Sequence, residues 1–222
     1  MNFYKNVIEH RGKLLVRGIH DGKEYKEKID YSPTLYAITQ QQTDFQTLHG
    51  QYVKPIQFGN ISKARDFRRN YNTDNAPIFG MDRYQYQYIS DNFPDTIEYS
   101  KDHIKIFTVD IECECENGFP DVENPVEEIL AVTVKNQSNK QIITWGTGEF
   151  KTDRPDVTYI RCKSEKSLIM EFMKFWIKNY PDIITGWNTK FFDIPYLMNR
   201  ICHIVDEKVI KRFSPWNLVE RE

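Results

Sequence analysis

The sequence predicts an α/β protein in which a mixed sheet flanked by helices follows a smaller, β-rich α+β unit. Three observations predict it. Apolar and polar residues alternate along residues 2–31 with turn chemistry between the runs. The strongest strand of the chain, Ile104 to Cys113, is followed by further short β-branched runs. An amphipathic helix then begins after Ser164, with Leu168, Ile169, Phe172 and Trp176 on one stripe. Strands succeeded by helices give a layered architecture with one buried core per unit.

In order, Asn2 to Glu9, Lys13 to Ile19 and Glu24 to Tyr31 read as a meander, turning at Arg11-Gly12 and Asp21-Gly22 and ending at Ser32-Pro33. Ser62 is the expected N-cap of a basic helix carrying Lys63, Arg65, Arg68 and Arg69. After Asn75-Ala76-Pro77, the stretch Arg83 to Ile89 alternates strictly, which predicts a strand with Tyr84, Tyr86 and Tyr88 on one face. The polar run Tyr99–Asp102 marks a boundary, giving domains 1–100 and 101–222. Beyond Ile104–Cys113 come a polar loop through Asn117-Gly118-Phe119-Pro120 and strands at Glu128 to Val134, Gln141 to Trp145 and Val157 to Ile160. The helix after Ser164 and a short strand at Asp182 to Thr185 complete the pattern, with a last helix from Phe192 onward. Pro195 is tolerated only in a first helical turn, so Asp193 falls at or near that helix's N-terminus.

Composition narrows the class. The 222 residues are 40% hydrophobic and 14% aromatic, enough for real cores. No apolar run approaches the length needed to span a bilayer, and no signal-peptide pattern follows Met1. A cytoplasmic protein with no membrane partner is expected. Cys113, Cys115, Cys162 and Cys202 form no C-x-x-C pair, which favours buried free thiols over a zinc site. The net charge of −2 excludes no function class.

The chemistry concentrates in two acidic stretches. In Val109-Asp110-Ile111-Glu112 the strand period of two puts both carboxylates on one face, with Cβ atoms about 7 Å apart. At that spacing they can converge on one hard, oxygen-seeking cation. Asp193 supplies a third acid from elsewhere in the fold. On these residues alone, polar groups at a strand terminus and a helix N-cap are the competing readings.

Phe107-Thr108-Val109-Asp110-Ile111-Glu112 resembles the Exo I motif of proofreading 3′→5′ exonucleases. The stretch Thr185-Gly186-Trp187-Asn188-Thr189-Lys190-Phe191-Phe192-Asp193-Ile194-Pro195-Tyr196 resembles their Exo II motif. The wording is most similar to family B DNA polymerases of T-even-type bacteriophages, and the likeness extends to Tyr31-Ser32-Pro33-Thr34-Leu35-Tyr36, Gly80-Met81-Asp82 and Arg212-Phe213-Ser214-Pro215. A lone D-x-E is a weak signal; the long second motif is a specific one.

This resemblance implies a polymerase N-terminal domain at 1–100 and an RNase H-like exonuclease domain from 101, incomplete at its C-terminus. It implies two Mg²⁺ or Mn²⁺ ions, with Asp110 bridging both, Glu112 holding the ion that bears the attacking water and Asp193 supporting the other. The implied partners are a single-stranded DNA 3′ end, the remainder of a polymerase chain and, through the basic helix, RNA; the implied location is the cytoplasm of a phage host. Phe119 is read either as a contact to the strand being trimmed or as a loop anchor, and Asn188 and Phe192 as contacts near the terminal nucleotide. Trp187, at a strand end, is expected in the core. The Tyr84–Tyr88 stripe is either one face of a half-buried strand or a stacking platform.

One family feature is missing. A third motif, Tyr-x-x-x-Asp, supplies a fourth acid in the family; the nearest acids after Asp193 are Asp206 and Glu207, and residue 202, four before Asp206, is cysteine, so the motif is not found there. Both are expected on a solvated helix end. The 222-residue chain is therefore expected to have weak or absent exonuclease activity and to hold at most one ion well. The competing functions are a nucleic-acid-binding module acting through residues 1–100 and a stand-alone exonuclease, the latter disfavoured by the missing motif.

Overall fold

The computed structural model describes residues 1–73, 77–116 and 118–219. Asn75, Ala76 and Asn117, to which turn and loop roles fall in the sequence, lie outside these residues. The chain divides into two units, Met1–Tyr99 and Ser100–Glu222.

In the first unit, β1 (Phe3–His10), β2 (Lys13–His20) and β3 (Lys23–Ile29) form an antiparallel sheet. Both turns take positive φ at both central residues, 50° and 75° at Arg11-Gly12 and 49° and 74° at Asp21-Gly22. That backbone twist matches the flanking strands, and glycine adopts it without strain. A second sheet, ordered β5-β4-β6, joins β4 (Thr34–Ile38), β5 (Val53–Gln57) and β6 (Ile78–Phe79). These short strands carry no sustained alternation, so their sequence alone does not announce them.

Helix α1 (Ile61–Thr73) is capped by Asn60, whose Oδ1 accepts the Lys63 N–H at 2.9 Å, rather than by Ser62. Asn and Ser are equivalent N-caps, so the sequence alone misplaced the start by two residues. Tyr84, Tyr86 and Tyr88 lie on a helix, α2 (Tyr84–Asn92), not on a strand. Tyr84 and Tyr88 share a helical face as i and i+4 and are buried with Leu14, Val16, Leu35 and Ile61, while Tyr86 is exposed. Over so short a run the two periods place the outer tyrosines alike, and core packing decides between them. No stacking platform results. Gln87, between them, closes onto β4, accepting the Thr34 N–H at 3.0 Å and donating to the Thr34 carbonyl at 2.7 Å.

In the second unit a five-stranded mixed sheet runs β10-β9-β8-β7-β11. Its members are β7 (Ile106–Cys113), β8 (Ile129–Asn136), β9 (Ile142–Gly146), β10 (Val157–Arg161) and β11 (Ile183–Thr185). The pairs β7–β8 and β8–β9 are antiparallel, and β9–β10 and β7–β11 are parallel. Helix α3 (Glu165–Asn179) starts in a capping box between Ser164 and Ser167 and packs against β8 and β9. It buries Leu168, Ile169, Phe172, Met173 and Trp176. Helices α4 (Asp193–Ile204) and α5 (Glu207–Lys211) follow, α4 packing against β7. One core of Phe107, Val109, Ile111, Val132, Trp145, Phe172, Trp176 and Leu197 holds these layers together. The mixed sheet and its flanking helices are those of an RNase H-like exonuclease fold. Among the described residues no helix is long and apolar enough to cross a membrane.

Candidate active site

The first two acids are set by β7. Phe107, Val109 and Ile111 face the core and are buried, so Asp110 and Glu112 project from the other face, exposed. Pairing with β8 fixes this register, with Asp110 opposite Thr133 and Glu112 opposite Ala131. An irregularity between Glu112 and Cys113 ends the regular ladder, a device that re-aims side chains at sites.

The third acid is brought in by the course of the chain after β11. That strand accompanies β7 only from Ile183, beside Ile106, to Thr185, beside Thr108. The chain then leaves the sheet at very close range: a Cβ on Gly186 would stand 2.5 Å from the Val109 carbonyl oxygen and collide with Thr189 Oγ1. Asn188 turns it with φ of 57°, and its carbonyl accepts the N–H groups of Phe191 at 3.0 Å and Phe192 at 2.9 Å. Asparagine tolerates this left-handed conformation better than most residues. α4 begins at Asp193 with Pro195 in its first turn.

The result is a contact between Asp193 and β7. Asp193 Oδ1 accepts the backbone N–H of Ile111, the residue between Asp110 and Glu112, at 3.1 Å. Asp193 is only 4% exposed. Burial raises its carboxyl above the ordinary value, the Ile111 N–H and its own amide pull it down, and the charge of Asp110 raises it again. Just past β7, Glu114 is also raised, by loss of solvent and then by Glu128, Glu116 and Glu127. Among the described residues no lysine, arginine or histidine forms an ion pair with Asp110, Glu112 or Asp193.

Uncompensated carboxylates with a buried member suit a hard divalent cation by their donor chemistry. The side chains are not gathered around one point, however. Among the described residues no three Asp, Glu, His or Cys groups stand in a metal-holding cluster. The structure thus places Asp193 at the amide between the other two acids without closing a cage.

Of the three candidate substrate contacts, two meet. The Phe119 ring is 82% exposed and lies 5.1 Å from that of Phe192, which stacks on the buried Tyr196 at 5.4 Å. Asn188 instead builds the turn before α4. Trp187 is not in the core: it is 92% exposed, because the chain has left the sheet edge at Gly186 before reaching it. Cys115 is likewise exposed rather than buried, since β7 ends at Cys113 and strand alternation no longer governs it. Cys113 is partly buried, and burial, followed by the charges of Glu165 and Glu112, pushes its thiol up to about 12. Asp206 caps α5, accepting the Lys208 N–H at 2.7 Å, and Glu207 is exposed beside it. On α1, Arg65 pairs with Glu9 and Arg69 with Asp66, while Arg68 donates to the Gly80 carbonyl. A groove of about 730 Å³ beside α4, lined by Val122, Glu123, Ile184, Phe191, Met198 and Asn199 among others, contains none of the three acids.

Sequence reasoning missed a buried ionic group next to this site. Arg200 of α4 makes a two-pronged contact with Glu165 of α3, Nε to Oε1 and Nη2 to Oε2, both at 2.7 Å. Glu165 Oε1 also accepts the Ile129 N–H at 2.8 Å. The only signal available was an arginine on the apolar stripe of α4.

Residues 46–220 match the DNA polymerase family B exonuclease domain, a match that begins inside the first unit. The DNA-directed DNA polymerase of Enterobacteria phage T4 is 27% identical over 239 residues, covering 96% of this chain and 26% of that protein. That of Escherichia phage RB69 is 28% identical over 241 residues, covering 96% and 27%. The DNA polymerase delta catalytic subunit of Dictyostelium discoideum is 37% identical over 100 residues, covering 43% and 9%. The chain spans about a quarter of the length of the phage relatives it matches.

Proposed function

The chain belongs to the exonuclease-domain family of family B DNA polymerases, and on that premise we propose that it is the proofreading part of a DNA polymerase. Its proposed task is the 3′→5′ hydrolysis of mispaired DNA ends, with Asp110, Glu112 and Asp193 as the metal-ligating acids. The observation that carries this reading is the hydrogen bond from Ile111 N–H to Asp193 Oδ1. It ties the acid of the second motif to the strand segment that bears the acids of the first.

Bound Mg²⁺ or Mn²⁺ supplies charge stabilisation to phosphate and lowers the cost of ionising water. The protein's part is to hold negative charge ready. Asp110 and Glu112 stay accessible from the exposed face of β7, while Asp193, raised by burial and by Asp110, must lose its proton for the set to bind a cation well. Phe119, propped on Phe192, offers an exposed ring to a terminal base, a contact tolerant of base identity. RNA contact through α1 finds no support in a helix whose Arg65 and Arg69 are paired within the unit.

Single-turnover digestion of single strands labelled at the 5′ end, with Mn²⁺ and enzyme in excess, tests the reading. The expected result is metal-dependent shortening from the 3′ end that Asp110→Asn abolishes. Internal cleavage, or shortening unchanged by Asp110→Asn, overturns it.

A further inference from the structure

The connection between β7 and β8 carries Phe119 and, after Gly118, has no regular secondary structure. Its second half is nonetheless gripped by one face of α4. Tyr196 Oη donates to the Glu127 carbonyl at 2.7 Å, and Asn199 Nδ2 donates to the Val122 carbonyl at 2.8 Å. Arg200 Nη1 donates to the carbonyls of Pro125 and Val126, both at 2.9 Å. Residues 196, 199 and 200 lie three and four apart and so share a helix face. Arg200 is itself fixed by Glu165, and Glu165 in turn by the first amide of β8. Burial pushes the Tyr196 hydroxyl up to about 12, so it stays a donor. The helix that begins at Asp193 therefore holds both ends of the Phe119 segment: the Phe119 ring through the stack Phe119–Phe192–Tyr196, and residues 122–127 through four carbonyl contacts.

We propose that Tyr196, Asn199 and Arg200 are positioning residues that lock the Phe119 loop to the Asp193 helix, so that loop and third acid meet a DNA end as one piece. The substrate half of this statement rests on the exonuclease reading; the locking half does not. Carbonyls without side-chain donors would leave a long irregular loop free to move, and a mobile Phe119 stacks on a base only after being ordered at binding.

The test uses the full chain and two variants, Tyr196→Phe, which removes only the hydroxyl, and Arg200→Lys, which keeps the charge but not the fork. Hydrogen exchange of amides 118–128 should quicken by about tenfold, the scale of one lost hydrogen bond, while amides of β7 and α3 change little. Exchange unchanged in the loop, or quickened equally throughout, overturns the proposal and marks the contacts as general stability. A double-mutant cycle then reads affinity for a fluorescent single-stranded oligonucleotide with Ca²⁺ present. Arg200→Lys should weaken binding about tenfold alone and add almost nothing once Phe119→Ala is present. Full additivity overturns the coupling of clamp and Phe119. Failure of the unaltered chain to bind the oligonucleotide contradicts the exonuclease reading and, with it, the substrate half, while the exchange result still decides the locking half.

Discussion

Asp193 accepts its hydrogen bond from Ile111 at 3.1 Å, and Ile111 separates Asp110 from Glu112. A buried carboxylate is thus tied to the backbone of the strand whose exposed face carries two more. Its proton affinity is raised by burial and by Asp110, with only amides opposing. Each consequence can be measured.

The raised Asp193 carboxyl makes metal-free stability depend on pH in a defined direction. The folded state binds its proton more tightly than the unfolded chain, so this group's contribution is fully present below the unfolded value. It is lost as pH rises through the folded one, which burial and Asp110 raise above the ordinary carboxylate value. Asp193→Asn should flatten this part of a urea-unfolding series and leave the protein at least as stable at pH 8. A stability that climbs with pH in this window, and still climbs in the variant, would contradict the assignment.

Gly186→Ala should destabilise the second unit by about 1–3 kcal/mol, because the new methyl meets the Val109 carbonyl at 2.5 Å. Urea denaturation reads this as a lower midpoint at unchanged slope. An unaltered midpoint would mean that the turn is not held against β7.

Glu165→Gln leaves Arg200 buried without its counter-charge, at side-chain exposures of 8% for Arg200 and 6% for Glu165. Breaking a buried pair from one side costs about 3–5 kcal/mol. Chemical denaturation checks it, and a loss well under 1 kcal/mol would show the pair to be solvated.

The thiols should separate cleanly. With Cys113 pushed up to about 12 by burial, alkylation at pH 8 should reach exposed Cys115 first. Peptide mapping after brief iodoacetamide treatment reads the order. The same shift removes stability as pH rises from the ordinary thiol value near 9.0 toward 12.

The parts of the fold legible in the sequence are those with a local physical cause. Arg11-Gly12 and Asp21-Gly22 announce hairpins because few other pairs accept two positive φ angles. Ser164 announces α3 because a hydroxyl there satisfies a free amide. Asp110 and Glu112 share a face because a strand has no choice. What escaped had causes distant in the chain. Tyr84 and Tyr88 fit either period until packing against Leu14 and Leu35 selects the helix. Trp187 looked like core because nothing local reveals that the chain quits the sheet at Gly186. Glu165 and Arg200 are 35 residues apart, and nothing local to either points to the other as its partner.

The most direct test of the acidic site is Mn²⁺ binding followed by electron paramagnetic resonance on the 222-residue chain and on Asp110→Asn, Glu112→Gln and Asp193→Asn. The expected result is saturable binding, weakened at least about tenfold by each substitution, since even outer-shell losses cost that much. Mn²⁺ affinity indifferent to all three substitutions would contradict the assignment of Asp110, Glu112 and Asp193 to a common cation.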